Sequence, residues 1–251
     1  MKAVFSICIL LFSLQLIRIQ AAPNFDFFYF IQQVSKFGIA ILPIRYLPYV
    51  FNNISIIVLQ WPGSYCGTKQ GCCYPKTGKP ASDFVVYGLQ PWTNLGEPVV
   101  NCDPKTHLNL SKISDFTKSL NRDWPLLSCP RRDNTKLWSI QWKKYGACSG
   151  PEINQHAYFE GAIKLKKKVN LLQVLKNAGV VANGSSYKAE HVLETIRLAV
   201  GHMPGIRCVK DRKGYSQLNV VYTCANGAYE TVECPGIPPS NCNQTIKFPS
   251  F

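Results

Sequence analysis

The apolar and polar positions of this chain change period along its length, and the changes predict strands near both ends with helices between them. Residues 25–31 are aromatic and β-favouring, and so are residues 55–61, which end in the turn sequence Trp61-Pro62-Gly63-Ser64. Residues 84–89 predict a third strand. Residues 111–120 open with Ser111, a capping residue, and 137–145, 154–169 and 187–200 carry helical apolar spacing. Strand alternation returns over 215–224, and 228–234 is suited to pair with it. The fold class expected is α+β, a mixed antiparallel sheet with packed helices.

The first residues change the picture. Lys2, an apolar run over 3–17 and a small-residue exit at Ala21-Ala22 follow the order of a cleaved secretory leader over residues 1–21, leaving one domain over 22–251. The expected location is extracellular or vacuolar. Of 11 cysteines, Cys8 would leave with the leader, and ten remain in a compartment where disulfides persist. Spacing alone leaves their pairing open, although the adjacent Cys72 and Cys73 should reach different partners. No Cys-x-x-Cys pairs or histidine clusters suggest a metal, and no cofactor is expected.

The net charge is +14, or +12 once Lys2 and Arg18 are removed, which favours RNA or another polyanion as partner. The basic run over 164–168 falls in a predicted helix and reads as a solvated face. The apolar stretch 34–60 contains Arg45, two prolines and Asn52-Asn53, so no membrane span is expected there. A monomer is expected. Asn53, Asn109, Asn183 and Asn243 each begin a glycosylation sequon.

Two segments carry candidate chemistry: Tyr87-Gly88-Leu89-Gln90-Pro91, and Trp138-Ser139-Ile140-Gln141-Trp142-Lys143-Lys144-Tyr145-Gly146-Ala147-Cys148. With Gln60-Trp61-Pro62-Gly63-Ser64-Tyr65-Cys66 and Cys72-Cys73-Tyr74-Pro75, they resemble the ribonuclease T2 family, in particular its plant S-RNase and S-like branch. The resemblance spans nearly the whole chain after the leader. It implies the ribonuclease T2-like fold with five bridges: Cys66 to Cys72, Cys73 to Cys129, Cys102 to Cys148, Cys208 to Cys242 and Cys224 to Cys234. It also implies metal-free RNA cleavage by 2′-hydroxyl attack, giving a 2′,3′-cyclic phosphate.

That reaction needs one group to take the 2′ proton, one to protonate the leaving oxygen, and cations to hold the phosphorane charge. The family's two histidines fall on Tyr87 and Tyr145, its glutamate on Gln141 and a further histidine on Ile140, and only the lysine, Lys144, remains. Gln90 replaces a family tryptophan, with Trp92 a candidate to fill the gap, and Gln60 and Trp61 are expected as substrate contacts. A phenol with an ordinary pKa of about 10 is a poor base at neutral pH, and a carboxamide carries no charge. Trp138 and Trp142 read as core, and His107, His156, His191 and His202 lie outside the motifs. The expectation is a catalytically inactive family member with a storage, defence or RNA-binding role; the alternative is a weakly active endoribonuclease.

Residues 34–60 are an atypical insertion. Family members run from a strand like 25–33 directly into the Trp61 turn, and Val34-Ser35 is encodable as GTAAGT and Gln60 as CAG, the usual edges of an intron. The insertion gives the chain two candidates, 25–33 and 55–61, for one first strand.

Overall fold

The structure is a computed structural model that describes residues 54–150 and 153–251. Its centre is β5 (Ser216–Ala225), whose ten residues are all buried except the half-buried Tyr222. Antiparallel to β5 lies β1 (Ile54–Gln60), and β1 in turn pairs antiparallel with β2 (Val85–Trp92). The sheet runs β2-β1-β5-β7-β3, with β3 at Ser186–Lys188 and β7 at Thr245–Lys247; β4 (Gly205–Lys210) and β6 (Thr231–Val232) also pair with β5. Mixed pairing arises because β7 alone joins β5 in parallel.

Both faces of this sheet are covered. Ile57 and Leu59 join the main core with Val86, Leu89, Leu218 and Val221, while Ile56 and Val58 meet Val220 and Cys224 in a second cluster. A strand covered on both faces reads as a nearly unbroken apolar run, which is how Ile54–Gln60 appears in the sequence. Of the two candidates for the first strand, the sheet therefore uses the one at the end of the insertion. The predicted strand over 25–31, the leader and Asn53 lie outside the described residues.

The helices are α1 (Pro62–Cys66), α2 (Thr117–Asp123), α3 (Asn134–Lys144), α4 (Gln155–Val169), α5 (Leu171–Asn177) and α6 (Ala189–Val200). In α4 the buried stripe Tyr158, Phe159, Ala162, Leu165 and Val169 follows the 3.6-residue period, and the Asn154 side chain caps its start at Ala157 N. Trp138 and Trp142 on α3 are buried in the same core.

Several predicted details are corrected. The cap before α2 is Asn109 and not Ser111: Asn109 Oδ1 accepts from the Ser111 N–H and hydroxyl, opening a 3₁₀ turn, Leu110–Phe116, that continues into α2. Residues 186–188 pair with β7 instead of starting a helix. Only Thr231–Val232 of 228–234 joins β5, because Asn226 Oδ1 accepts from the N–H groups of Ala228 and Glu230 and curls the preceding residues into a loop. The basic run is not wholly solvated either. Lys166 is buried, its Nζ 2.6 Å from Asp83 Oδ2 and 3.1 Å from Asp123 Oδ1.

All five bridges form in the pairing that the resemblance implies: Cys66–Cys72, Cys73–Cys129, Cys102–Cys148, Cys208–Cys242 and Cys224–Cys234. Among the described residues no helix is long and apolar enough to cross a membrane.

Candidate functional site

A cleft of about 750 Å³ is lined by residues of α3, β1, β2, β4 and β5. The first strand supplies Gln60, the second Tyr87 and Gln90, and α3 with its cap supplies Ile140, Gln141, Lys144 and Tyr145. Tyr87, Gln141, Lys144 and Tyr145, with Gln60, Gln90 and Ile140, therefore line one space.

Local backbone features aim these side chains. Val58 pairs with Gly88 but Leu59 pairs with Val86, which leaves Tyr87 as the extra residue of a β-bulge. A bulge bends its strand and re-aims one side chain; the Tyr87 ring is 50% exposed and faces the cleft. A second bulge, between Arg207 and Cys208 of β4, leaves Asn219 of β5 unpaired across the ladder and in the cleft wall. On α3, Gln141 and Tyr145 stand one turn apart, and Tyr145 N donates to Gln141 O at 2.9 Å as the helix ends. Gly146 follows because a Cβ there would collide with the Trp142 ring. The amide of Gln141 is buried against Gly88, where a Cβ would lie 3.2 Å from Gln141 Oε1.

The electrostatics are one-sided. Lys144 and Arg207 are the cations of the lining, and among the described residues no histidine, aspartate or glutamate shares it. Lys144 Nζ stands 4.8 Å from the Tyr145 ring centre, a cation–π distance. Burial pushes the Tyr65 phenol up and neighbouring Tyr87 adds to the rise; burial also pushes Tyr222 up against the pull of Arg207. Those two hydroxyls remain protonated donors at neutral pH. Gln141 Oε1 and Asn219 Oδ1 are buried acceptors with no hydrogen-bond partner among the described residues. The arrangement offers positive charge, phenolic donors and amides to a ligand, and it offers no strong base.

Trp61, expected as a substrate contact, is placed elsewhere. It is 1% exposed, packed between Phe84 and Phe248, and its Nε1 donates to Pro249 O at 2.8 Å. An apolar residue at the end of a strand covered on both faces is drawn into the core. Trp92 does not fill the gap at Gln90 either, since it packs against the second cluster. None of the four histidines lines the cleft; His156 pairs with Asp115 and His202 with Glu233. Tyr65, Arg207, Asn219 and Tyr222 were not foreseen. Their place depends on the register of β4 on β5 and on the seat of α1, neither of which leaves a mark in local spacing. Among the described residues no cluster of three metal-ligating side chains occurs.

Known proteins resemble this chain in sequence and fold. The chain is 40% identical over 235 residues to extracellular ribonuclease LE of Solanum lycopersicum, covering 93% of this chain and 90% of that one. It is 28% identical over 178 residues to a ribonuclease-like storage protein of Panax ginseng, covering 70% and 73%. Among solved structures, RNase NT in complex with 5′-AMP superposes with a TM-score of 0.75 at 40% identity, covering 79% of this chain and 98% of that one. With the family model for ribonuclease T2 matching residues 52–234, the strands, bridges and cleft have one common account: the chain belongs to the ribonuclease T2 family.

Proposed function

We propose that this protein is an exported, catalytically silent member of the family that holds RNA in its cleft without cutting it. The observation that carries the reading is the lining itself: Tyr87, Gln141 and Tyr145, which the resemblance aligns with the family's two histidines and glutamate, line one cleft with Lys144. Each positioned acid or base contributes about 10² to 10⁴ in rate, so replacing both removes most of the acceleration. Positive charge and amide groups bind phosphates and bases without needing a proton shuttle. RNase NT, a structural relative, is solved with 5′-AMP bound. The ginseng relative is named a storage protein, which supports accumulation as a companion role.

A second reading, weak endoribonuclease activity, is favoured by Lys144 in the lining and by the tomato relative's name. One experiment separates the two. RNA cleavage and RNA binding are measured for the purified chain beside a Tyr87→His, Gln141→Glu, Tyr145→His variant. The expected outcome is binding by both and cleavage by the variant alone. Turnover by the unaltered chain at rates near the variant's overturns the silent reading.

A further inference from the structure

The cleft has a neighbour. An opening of about 870 Å³ shares Thr68, Gln70, Cys208, Val209 and Asn241 with it, so the two adjoin across one wall. The outer side of this second groove is the hairpin between β4 and β5. Asp211 builds the turn: its Oδ1 accepts from the N–H groups of Lys213 and Tyr215, both at 2.9 Å, and its Oδ2 accepts from Gln217 Nε2 at 3.2 Å. Gly214, at φ +86°, closes the turn with its N–H on Asp211 O.

The consequence is a segregation of charge. The one carboxylate of the groove is engaged inside the turn, while Lys210, Arg212 and Lys213 are exposed on it and Lys69 lines the same groove. None of these four cations takes part in an ion pair among the described residues. Tyr215, half exposed on the same turn but outside the groove lining, carries Lys247 Nζ 3.4 Å over one face of its ring. A row of cations along a groove follows the phosphates of a single strand, and the open face of an aromatic on the flanking turn is a surface for a base beside it.

We propose that this groove is a strand track that takes the backbone phosphates of single-stranded RNA as it leaves the main cleft. The proposal rests on RNA binding in that cleft. Asn243 of the sequon Asn243-Gln244-Thr245 lines the groove, so a glycan there would lie across the track.

The test uses the full chain carrying Asn243→Gln, with affinity for a dinucleotide and for an RNA of about twelve nucleotides measured by fluorescence anisotropy over a salt series. The longer RNA should bind tighter, with the slope of log affinity on log salt steepened by about 0.7 for each phosphate held. Replacing Lys210, Arg212 and Lys213 by alanine should flatten that slope by roughly 2, abolish the gain with length and leave the dinucleotide unchanged. No gain with length, or a gain that survives the triple replacement, overturns the track. Equal gain with polyglutamate of matching charge overturns its assignment to nucleic acid. If the dinucleotide fails to bind while the long RNA binds through the hairpin, the groove holds RNA on its own: the cleft reading falls, and with it the passage from cleft to groove.

Discussion

At the scale of single residues, the cleft is shaped as much by missing atoms as by functional groups. Gly146 sits between Tyr145 and the bridge at Cys148, and any Cβ on it meets the rigid rings of Trp142 and Tyr158. Gly146→Ala should therefore overpack the core beneath the site and destabilise the fold by about 1–3 kcal/mol. Thermal unfolding checks this, with an expected fall of roughly 2–4 °C per kcal/mol for a chain this size. An unchanged transition would mean that α3 can shift freely. The sequons also divide here. Asn109, Asn183 and Asn243 are exposed, and Asn109 caps through Oδ1, which leaves its Nδ2 free to carry a glycan. Intact-mass measurement of the protein recovered from a secretory expression host, before and after glycosidase, should show added sugar; a mass equal to the bare chain removes glycosylation from the account.

At the scale of elements, a buried ionic group joins three segments: Lys166 of α4, Asp123 at the end of α2, and Asp83 just before β2. Burial works to raise the Asp123 carboxyl, but the Arg122 guanidinium and the Lys166 ammonium outweigh it and hold the pKa below the usual carboxylate range. A group depressed in the folded state stabilises the fold above its unfolded pKa, and that contribution is lost as pH falls through the folded value. Urea unfolding from pH 7 down to pH 3 should show stability falling with acid, less steeply in Asp123→Asn. Lys166→Met, which leaves Asp123 with Arg122 alone, should cost about 1–3 kcal/mol at pH 7. A variant as stable as the parent would show that water already compensates these charges.

The same scale shows what the sequence made legible. The α4 stripe and the helical motif of α3 announce themselves by period, and the ten cysteines by their order. Lys166 was hidden because a lysine in a basic run carries no local sign of two distant carboxylates. Tyr87 was legible as a position but not as a bulge, since a register shift depends on the partner strand. For the first strand we propose that residues 34–60 derive from a retained intron. In the joined product Gln33 would precede Trp61 as Gln60 does now, with Phe30 at the place of Ile57 and Ile31 at that of Val58. Apolar side chains would still serve both faces, and Gln32 would replace the buried Leu59. Transcript sequencing should recover a form lacking these 27 codons; transcripts that all retain them would end the proposal.

For the whole molecule, five covalent loops tie the chain together, and their lengths predict an order of importance. Cys73–Cys129 closes a separation of 56 residues and Cys102–Cys148 one of 46, against 34 for Cys208–Cys242, 10 for Cys224–Cys234 and 6 for Cys66–Cys72. If each bridge acts by restricting the unfolded chain, its contribution grows with the logarithm of that separation, to about 4 kcal/mol for the longest loop and about 2 kcal/mol for the shortest. Paired cysteine-to-serine variants, unfolded in urea, should rank in that order. Position in the native fold predicts a different order for RNA binding. Cys208 lies in the wall common to both grooves, and Asn241 beside Cys242 holds it by exchanging hydrogen bonds at 2.9 and 3.0 Å with Cys208 N and O. Losing Cys208–Cys242 should cost less stability than losing Cys73–Cys129, as its shorter loop implies, yet weaken RNA binding more, because Cys208 lines both grooves and the Asn241 hydrogen bonds alone hold it less firmly. A Cys73/Cys129 variant that remains folded but loses more RNA affinity than the Cys208/Cys242 variant would show that the loop walls, and not the strand floor, define the binding surface.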